Sequence, residues 1–285
     1  MSIRNNEDRL GAKNLGGDSP IPQAQQGSTP PTFSFVTPTE FVELPSKGKF
    51  YPKDHPLHNV DTVEIKHMTA KEEDILTSRS LLKKGLAVDR LLQSVIVDKR
   101  ISPDTLLIGD KNAIILMTRI LAYGADYETR VACPGCLEAT NHSFNLNDPS
   151  IIHNESFENG VSKEGGTFTI TLPKTKVKVG VRLLTGKDEK FLVEAAAMKR
   201  KNKLPEAGLT DQFRTFITSV NGVTDRETIN GFINNMPASD SRFLRTAYEK
   251  IVPNIDMRQN FTCDSCGYED KMEVPLSADF FWPRR

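Results

Sequence analysis

Four residues of this 285-residue chain have the type and spacing for metal chemistry, and they are all of its cysteines. VACPGCLEATNH places Cys133 and Cys136 around Pro-Gly; NFTCDSCGYEDK places Cys263 and Cys266 around Asp-Ser, with Gly267 following. A Cys-x-x-Cys in a tight turn lets two thiolates converge on one cation while the turn's amides support the sulfurs. Two such knuckles supply four thiolates, the tetrahedral set that structural zinc prefers. The spacing therefore predicts one structural Zn2+ per chain, held by Cys133, Cys136, Cys263 and Cys266. Four thiolates close the coordination shell and leave no position for water or substrate, so a catalytic metal is not expected. The alternatives are a redox dithiol, an iron–sulfur cluster, or free thiols and disulfides. Neither motif has the thioredoxin-like βαβ surroundings a redox pair needs. His142, six residues after Cys136, is a possible substitute ligand that four cysteines make unnecessary. His55-x-x-His58 lies in a Pro-rich loop and reads as solvated.

No other stretch carries a recognisable reaction. A Ser nucleophile elbow, a His-Glu-x-x-His and a dinucleotide Gly motif are all missing from the sequence. The Gly48-Lys49 pair lacks the upstream Gly and the following Ser or Thr of a phosphate loop. Asp188-Glu189 and Glu72-Glu73-Asp74 fall in first helical turns, where acids are expected, and read as solvated. Formal charge is balanced, with 37 bases against 37 acids, so no global field draws in nucleic acid or anionic lipid. MKRKNK is a basic cluster, but it sits at a helix end, where bases are favoured anyway. MSIRNNEDRLGAKN has no apolar core, so no signal peptide is expected. No run suits a transmembrane helix. A chain that stays in a reducing compartment again favours a metal over disulfides.

The elements that must position the cysteines can be read from periodicity. Residues 1–38 read as a disordered tail, rich in Gly, Pro, Ser and Gln. FVELPSKGKFYP predicts a turn around Pro45 and Gly48 that anchors Phe50 and Tyr51 in the core. TVEIKHM predicts a strand, and Thr69-x-x-Glu72 a capping box for a helix through about Leu82. A second helix is expected over 89–97, and a third after an Asp110 cap, stopping at Gly124. Each knuckle lies between two strand-like runs, as in a zinc ribbon. The 126 residues between Cys136 and Cys263 are far more than a ribbon needs. An inserted subdomain whose ends return to the ribbon would account for them. Inside it, TFTITLPKTKVKVGVRLL predicts a β-hairpin around Pro173-Lys174-Thr175. Helices follow over TGKDEKFLVEAAAMKRKNK, LTDQFRTFITSV, ETINGFINNM (opened by a Thr224-x-x-Glu227 box) and ASDSRFLRTAYEKI. The expected class is α+β: a mixed, helical N-terminal part, a split four-cysteine zinc ribbon, and an inserted hairpin plus helices. The expected division is 1–38 tail, 39–146 core with the first knuckle, 147–255 insert, and 256–285 second knuckle with a C-terminal anchor.

Taken in order, LPSKGKFYP, VEIKHMTAKEEDIL, LLIGDKNAIILMTRILAYGADY, CPGC, CDSC and the closing VPLSADFFWP resemble the baseplate hub proteins of T-even-type contractile-tailed bacteriophages. The resemblance runs from residue 39 to the end. It implies a non-enzymatic structural or assembly component of the tail baseplate hub. Its implied partners are other phage tail and baseplate hub proteins. It would act in the host cytoplasm during assembly, with the virion tail baseplate as a further location. No small-molecule substrate and no membrane insertion are expected, and nucleic acid is disfavoured; a zinc-ribbon nucleic-acid-binding protein is the alternative. Phe280, Phe281 and Trp282 are the candidate partner anchors, since aromatic rings dominate interface energies. The competing expectation is that these rings pack back onto the chain's own core.

Overall fold

The computed structural model describes residues 36–153, 161–164, 167–205, 208–275 and 278–281. The expected tail lies outside the described residues except at its last positions.

Strand β1 (Thr39–Glu43) pairs antiparallel with β2 (Thr62–Lys66), with Val42 opposite Val63, and both valines face the core. The loop between them is the LPSKGKFYP turn, and it behaves as expected. Tyr51 is buried, and Phe50 packs on Phe168 with ring centres 5.6 Å apart. Gly48 has φ +68°, and a Cβ there would lie 2.3 Å from Leu57 O and Val60 N. Only glycine can hold this turn.

Helix α1 (Ala70–Thr77) opens with the expected Thr69–Glu72 capping box. The single helix expected through Leu82 is, however, broken at Ser78, whose backbone is extended, and a separate α2 (Arg79–Lys83) follows. Thr77 Oγ1 bonds back to Glu73 O, and Ser78 Oγ lies 3.1 Å from Ser80 Oγ. Hydroxyls that compete for the backbone in this way end helices. Helix α3 (Ala87–Val95) buries Ala87, Leu91, Leu92 and Val95. Helix α4 (Ile108–Tyr123) stops at Gly124, as expected, but starts before Asp110. Asp110 is therefore not its cap. Its buried carboxylate accepts from Ser46 N (2.9 Å), Ser46 Oγ (2.6 Å) and Tyr51 Oη (2.7 Å), clamping the LPSKGKFYP turn onto the helix. Burial raises its pKa against those hydrogen bonds.

Two antiparallel hairpins carry the knuckles: β3 (Asp126–Ala132) with β4 (Ala139–Asn145), and, near the chain end, β11 (Arg258–Thr262) with β12 (Glu269–Glu273). Between them, β5 (Ser150–Ile152) pairs with β10 (Asn254–Asp256). The chain thus leaves the first hairpin and returns to the second through one short ladder. The intervening stretch builds a four-stranded antiparallel sheet in the order β6 (Val161–Glu164), β7 (Thr167–Thr171), β8 (Lys178–Val181), β9 (Ile217–Val220). The expected hairpin is β7–β8. Its turn is held by Asp240, whose carboxylate accepts from Lys174 N, Thr175 N and Thr175 Oγ1 at 2.7–3.0 Å.

Helix α5 (Gly186–Lys201) has its own capping box, Thr185 with Asp188. The helix expected over LTDQFRTFITSV is half right. Helix α6 (Gly208–Phe216) ends where Ile217-Thr218-Ser219-Val220, with β-branched Ile217, Thr218 and Val220, joins the edge of β8. Helix α7 (Arg226–Asn235) is capped by Asp225, which accepts from Thr228 N at 2.9 Å, not by Thr224. Helix α8 is Ala238–Ile251, as expected. The described residues from Thr37 onward form one compact unit with a shared apolar core that includes Ile65, Leu92, Ile114, Phe168, Phe216 and Leu244.

Candidate metal centre

Each knuckle is the turn of its hairpin, and the two turns repeat one backbone pattern. In the first, Cys133 N donates to Glu138 O and Leu137 N to Cys133 O, both at 2.9 Å. In the second, Cys263 N donates to Tyr268 O and Gly267 N to Cys263 O, again at 2.9 Å. The equivalent residues Leu137 and Gly267 both take positive φ, +62° and +69°. Cys133 and Cys263 are buried while Cys136 and Cys266 face solvent. Each hairpin therefore offers one inner and one outer thiol.

The hairpins face each other so that all four sulfurs converge. Cys133 Sγ lies 3.7 Å from Cys266 Sγ, and Cys136 Sγ 3.8 Å from Cys263 Sγ; all four ligand atoms lie within 4.8 Å of one another. A tetrahedron of sulfurs about 2.3 Å from a central ion has an edge of about 3.8 Å. The separations thus match one four-coordinate ion, and a polynuclear iron–sulfur cluster would spread its cysteines wider. The four cysteines could hold a metal ion, and they are the group that sequence spacing singled out.

The electrostatics agree with a cation-shaped site. Burial works against the Cys133 thiolate, but the amides of Cys136 and Gly135 and the facing thiols outweigh it and hold its pKa at about 7. At Cys266 the Tyr268 amide favours the thiolate, yet burial and the three neighbouring thiols push it up to about 12. Four sulfurs this close cannot all ionise without a positive charge among them.

Contacts outside the sulfurs fix the approach of the hairpins. Tyr268 lies over Gly135, where a Cβ would come within 3.0 Å of its ring. Gln259 and Asn145 exchange two hydrogen bonds, at 3.1 and 2.8 Å. His142 packs edge-on against Phe144 and Phe261, at 4.6 and 5.2 Å. It is a wedge between hairpins and not a member of the converging group. His55 and His58, expected to be solvated, are half-buried and bonded. His55 stacks on Tyr51 and bonds Thr105 Oγ1, and His58 bonds Tyr51 O. Their Pro-rich turn is folded back on the core, which sequence alone did not convey.

Of the carboxylates expected to be solvated, Glu73, Asp74 and Glu189 are exposed, while Glu72 and Asp188 are not. Glu72 is fully buried and accepts from Lys66, Thr69 and Ser94, bonds that overcome burial and hold its pKa at about 2. Asp188 binds Arg182 through two hydrogen bonds of 2.7 Å, and Glu189 pairs with Lys111. Of MKRKNK, Lys199 pairs with Asp211 at the helix end.

Phe280 and Phe281 are buried in the chain's own core, the competing expectation stated for them, and Trp282 lies outside the described residues. Phe280 meets Tyr127 edge-on at 5.2 Å. The key residue here is one the sequence reading missed. Arg119, fully buried on α4, donates to Phe280 O (2.6 Å), Gly124 O (2.8 Å) and Asp126 O (3.3 Å). It also lies over the rings of Tyr123, Tyr127 and Phe280. One guanidinium thus ties the C-terminal turn (Ala278–Phe281) to the base of the first cysteine hairpin. An arginine in the apolar run IILMTRIL, with no acid near it in sequence, was the only signal.

Among the described residues no helix is long and apolar enough to cross a membrane. Compared with known families, residues 37–282 match the family model described as T4 bacteriophage base plate protein. No curated protein and no solved structure matches the chain.

Proposed function

The chain belongs to the T4 bacteriophage base plate protein family, and from that membership we propose that it is a non-enzymatic structural or assembly component of the baseplate hub, holding one structural Zn2+ and acting through protein–protein contacts. The match over 37–282 carries this reading, because it spans both hairpins and everything between them. Zinc is supported by the donor set: four thiolates at tetrahedral edge distances, two of them buried. When bound, the ion completes its shell with sulfur and acts as a cross-link. Cys133 and Cys263 hold it from inside, Cys136 and Cys266 from the solvent side. The ladder β5–β10 supports residues 147–255 as an insert between the two halves of a split ribbon. Its neck brings Cys136 and Cys263 together although 126 residues separate them.

Partners on this reading are other tail and hub proteins, met in the host cytoplasm during assembly and in the virion tail baseplate. A partner that engages Phe280 and Phe281 has to displace the terminal turn from Tyr127 and Arg119. A tagged full chain expressed in infected cells tests the proposal. It should co-purify with baseplate hub proteins after nuclease treatment. Recovery of nucleic acid alone, with salt-sensitive binding to DNA in vitro, would replace it with the nucleic-acid reading.

A further inference from the structure

A groove remote from the cysteines runs between α1, α3 and the start of β1. Its volume is about 650 Å³. Lys66, Lys71, Arg90 and Lys99 line it, and no acidic residue does. One charge is compensated: Lys66 pairs with Glu72, which is buried behind the lining. Lys99 donates to the carbonyls of Gln93, Ser94 and Ile96, so it is pinned at the C-terminal end of α3. Lys71 and Arg90 are exposed and have no carboxylate partner among the described residues. The cations sense one another. Burial, then Lys66 and Lys71, lower the Lys99 pKa against the pull of Glu72. A protein with balanced overall charge therefore concentrates a local excess of positive charge in one concavity.

The floor is not polar. Ile75, Leu81 and Ile96 form it, and the half-exposed Val97 forms part of the rim. Such a surface matches a ligand with carboxylates on its edges and aliphatic side chains towards the groove. None of the lining residues is aromatic, so bases would find no stacking platform. We infer that this groove docks an acidic, aliphatic segment of a partner protein. The inference rests on reading the chain as a component that works through protein contacts, and it names the chemistry of one such contact.

The test is fluorescence anisotropy on the full zinc-loaded chain with a short fluorescein-labelled peptide of glutamate and leucine. A single-stranded DNA oligomer of equal charge serves as the second probe. The peptide should bind at low salt, and binding should fade as the Debye length contracts. The double variant Lys71→Glu/Arg90→Glu should weaken it at least about tenfold. The milder Lys71→Gln/Arg90→Gln should weaken it less, and reversal of the basic cluster at Lys201 and Lys203 should leave it unchanged. Both groove residues are exposed, so circular dichroism should show the fold intact. Equal losses in the groove and control variants, no loss in either, or binding of DNA but not peptide would overturn the inference. Those results would leave the zinc and pull-down tests untouched, so failure of the groove is distinguishable from failure of the broader reading.

Discussion

Replacing Arg119 by methionine removes the guanidinium while keeping an apolar stem of similar length. Three carbonyls lose their donor: that of Phe280 inside the core, and those of Gly124 and Asp126, on exposed residues, where water can take over part of the bond. Each unsatisfied buried acceptor costs roughly 1–3 kcal/mol, partly offset because a buried charge no longer has to be desolvated. With one acceptor fully buried and two within reach of water, a net loss of about 2 kcal/mol follows, which for a unit of this size lowers Tm by roughly 4–8 °C. The loss should also be local. Hydrogen exchange at residues 278–281 should accelerate well before exchange in α4, because the Arg119–Phe280 bond holds the terminal turn. Arg119→Lys should recover little, since one ammonium cannot serve three divergent carbonyls. Thermal melts followed by circular dichroism, with exchange read by mass spectrometry, provide both measurements. A methionine variant within about 0.5 kcal/mol of the parent, with an unchanged terminal turn, would refute the reasoning.

Three further outcomes follow from the same contacts. Gly48→Ala should destabilise by more than about 2 kcal/mol in urea titrations, because its Cβ would meet two backbone atoms at 2.3 Å in a left-handed conformation. Glu72 titrates near 2 in the folded chain against an ordinary value of 4.5. Its contribution, about 3 kcal/mol, is therefore complete above pH 4.5 and lost as pH falls towards 2. Glu72→Gln should flatten that part of the stability–pH curve, which acid titration of both proteins would show. Removing metal with a strong chelator should lower the urea midpoint, and restoring zinc should reverse it. At free zinc a thousandfold above Kd the difference is about 4 kcal/mol.

The cysteine cluster was legible because its signal is chemical and local: four cysteines, two matched spacings, and turns that need little context. That they meet was an inference from ligand count, and the β5–β10 neck supplies the physical means. Helices with strong caps or strong periodicity, α3, α5 and α8, were equally plain. The misses share a cause. At Asp110 and Ile217 the deciding partners are distant in sequence, and at Ser78 and Asp225 neighbouring hydroxyls and acids within four residues compete for the same helix end, so at none of them does the pattern single out one outcome. Glu72 and Asp188 looked solvated because acids in a first turn usually are; here each is drawn inward by a base six residues upstream, Lys66 or Arg182, on the strand side of its cap, an arrangement that helix periodicity does not convey. Arg119 and Asp240 act on backbone atoms of segments far along the chain, and such a pairing leaves no mark on sequence spacing.

The most direct test of the account is the zinc content of the chain, by elemental mass spectrometry on protein purified without chelator, alongside Cys263→Ser. The account predicts one zinc per chain, and its loss in the variant together with cooperative folding of both hairpins. A folded parent with no metal and four freely reactive thiols would contradict it, and with it the split ribbon on which the proposed role depends.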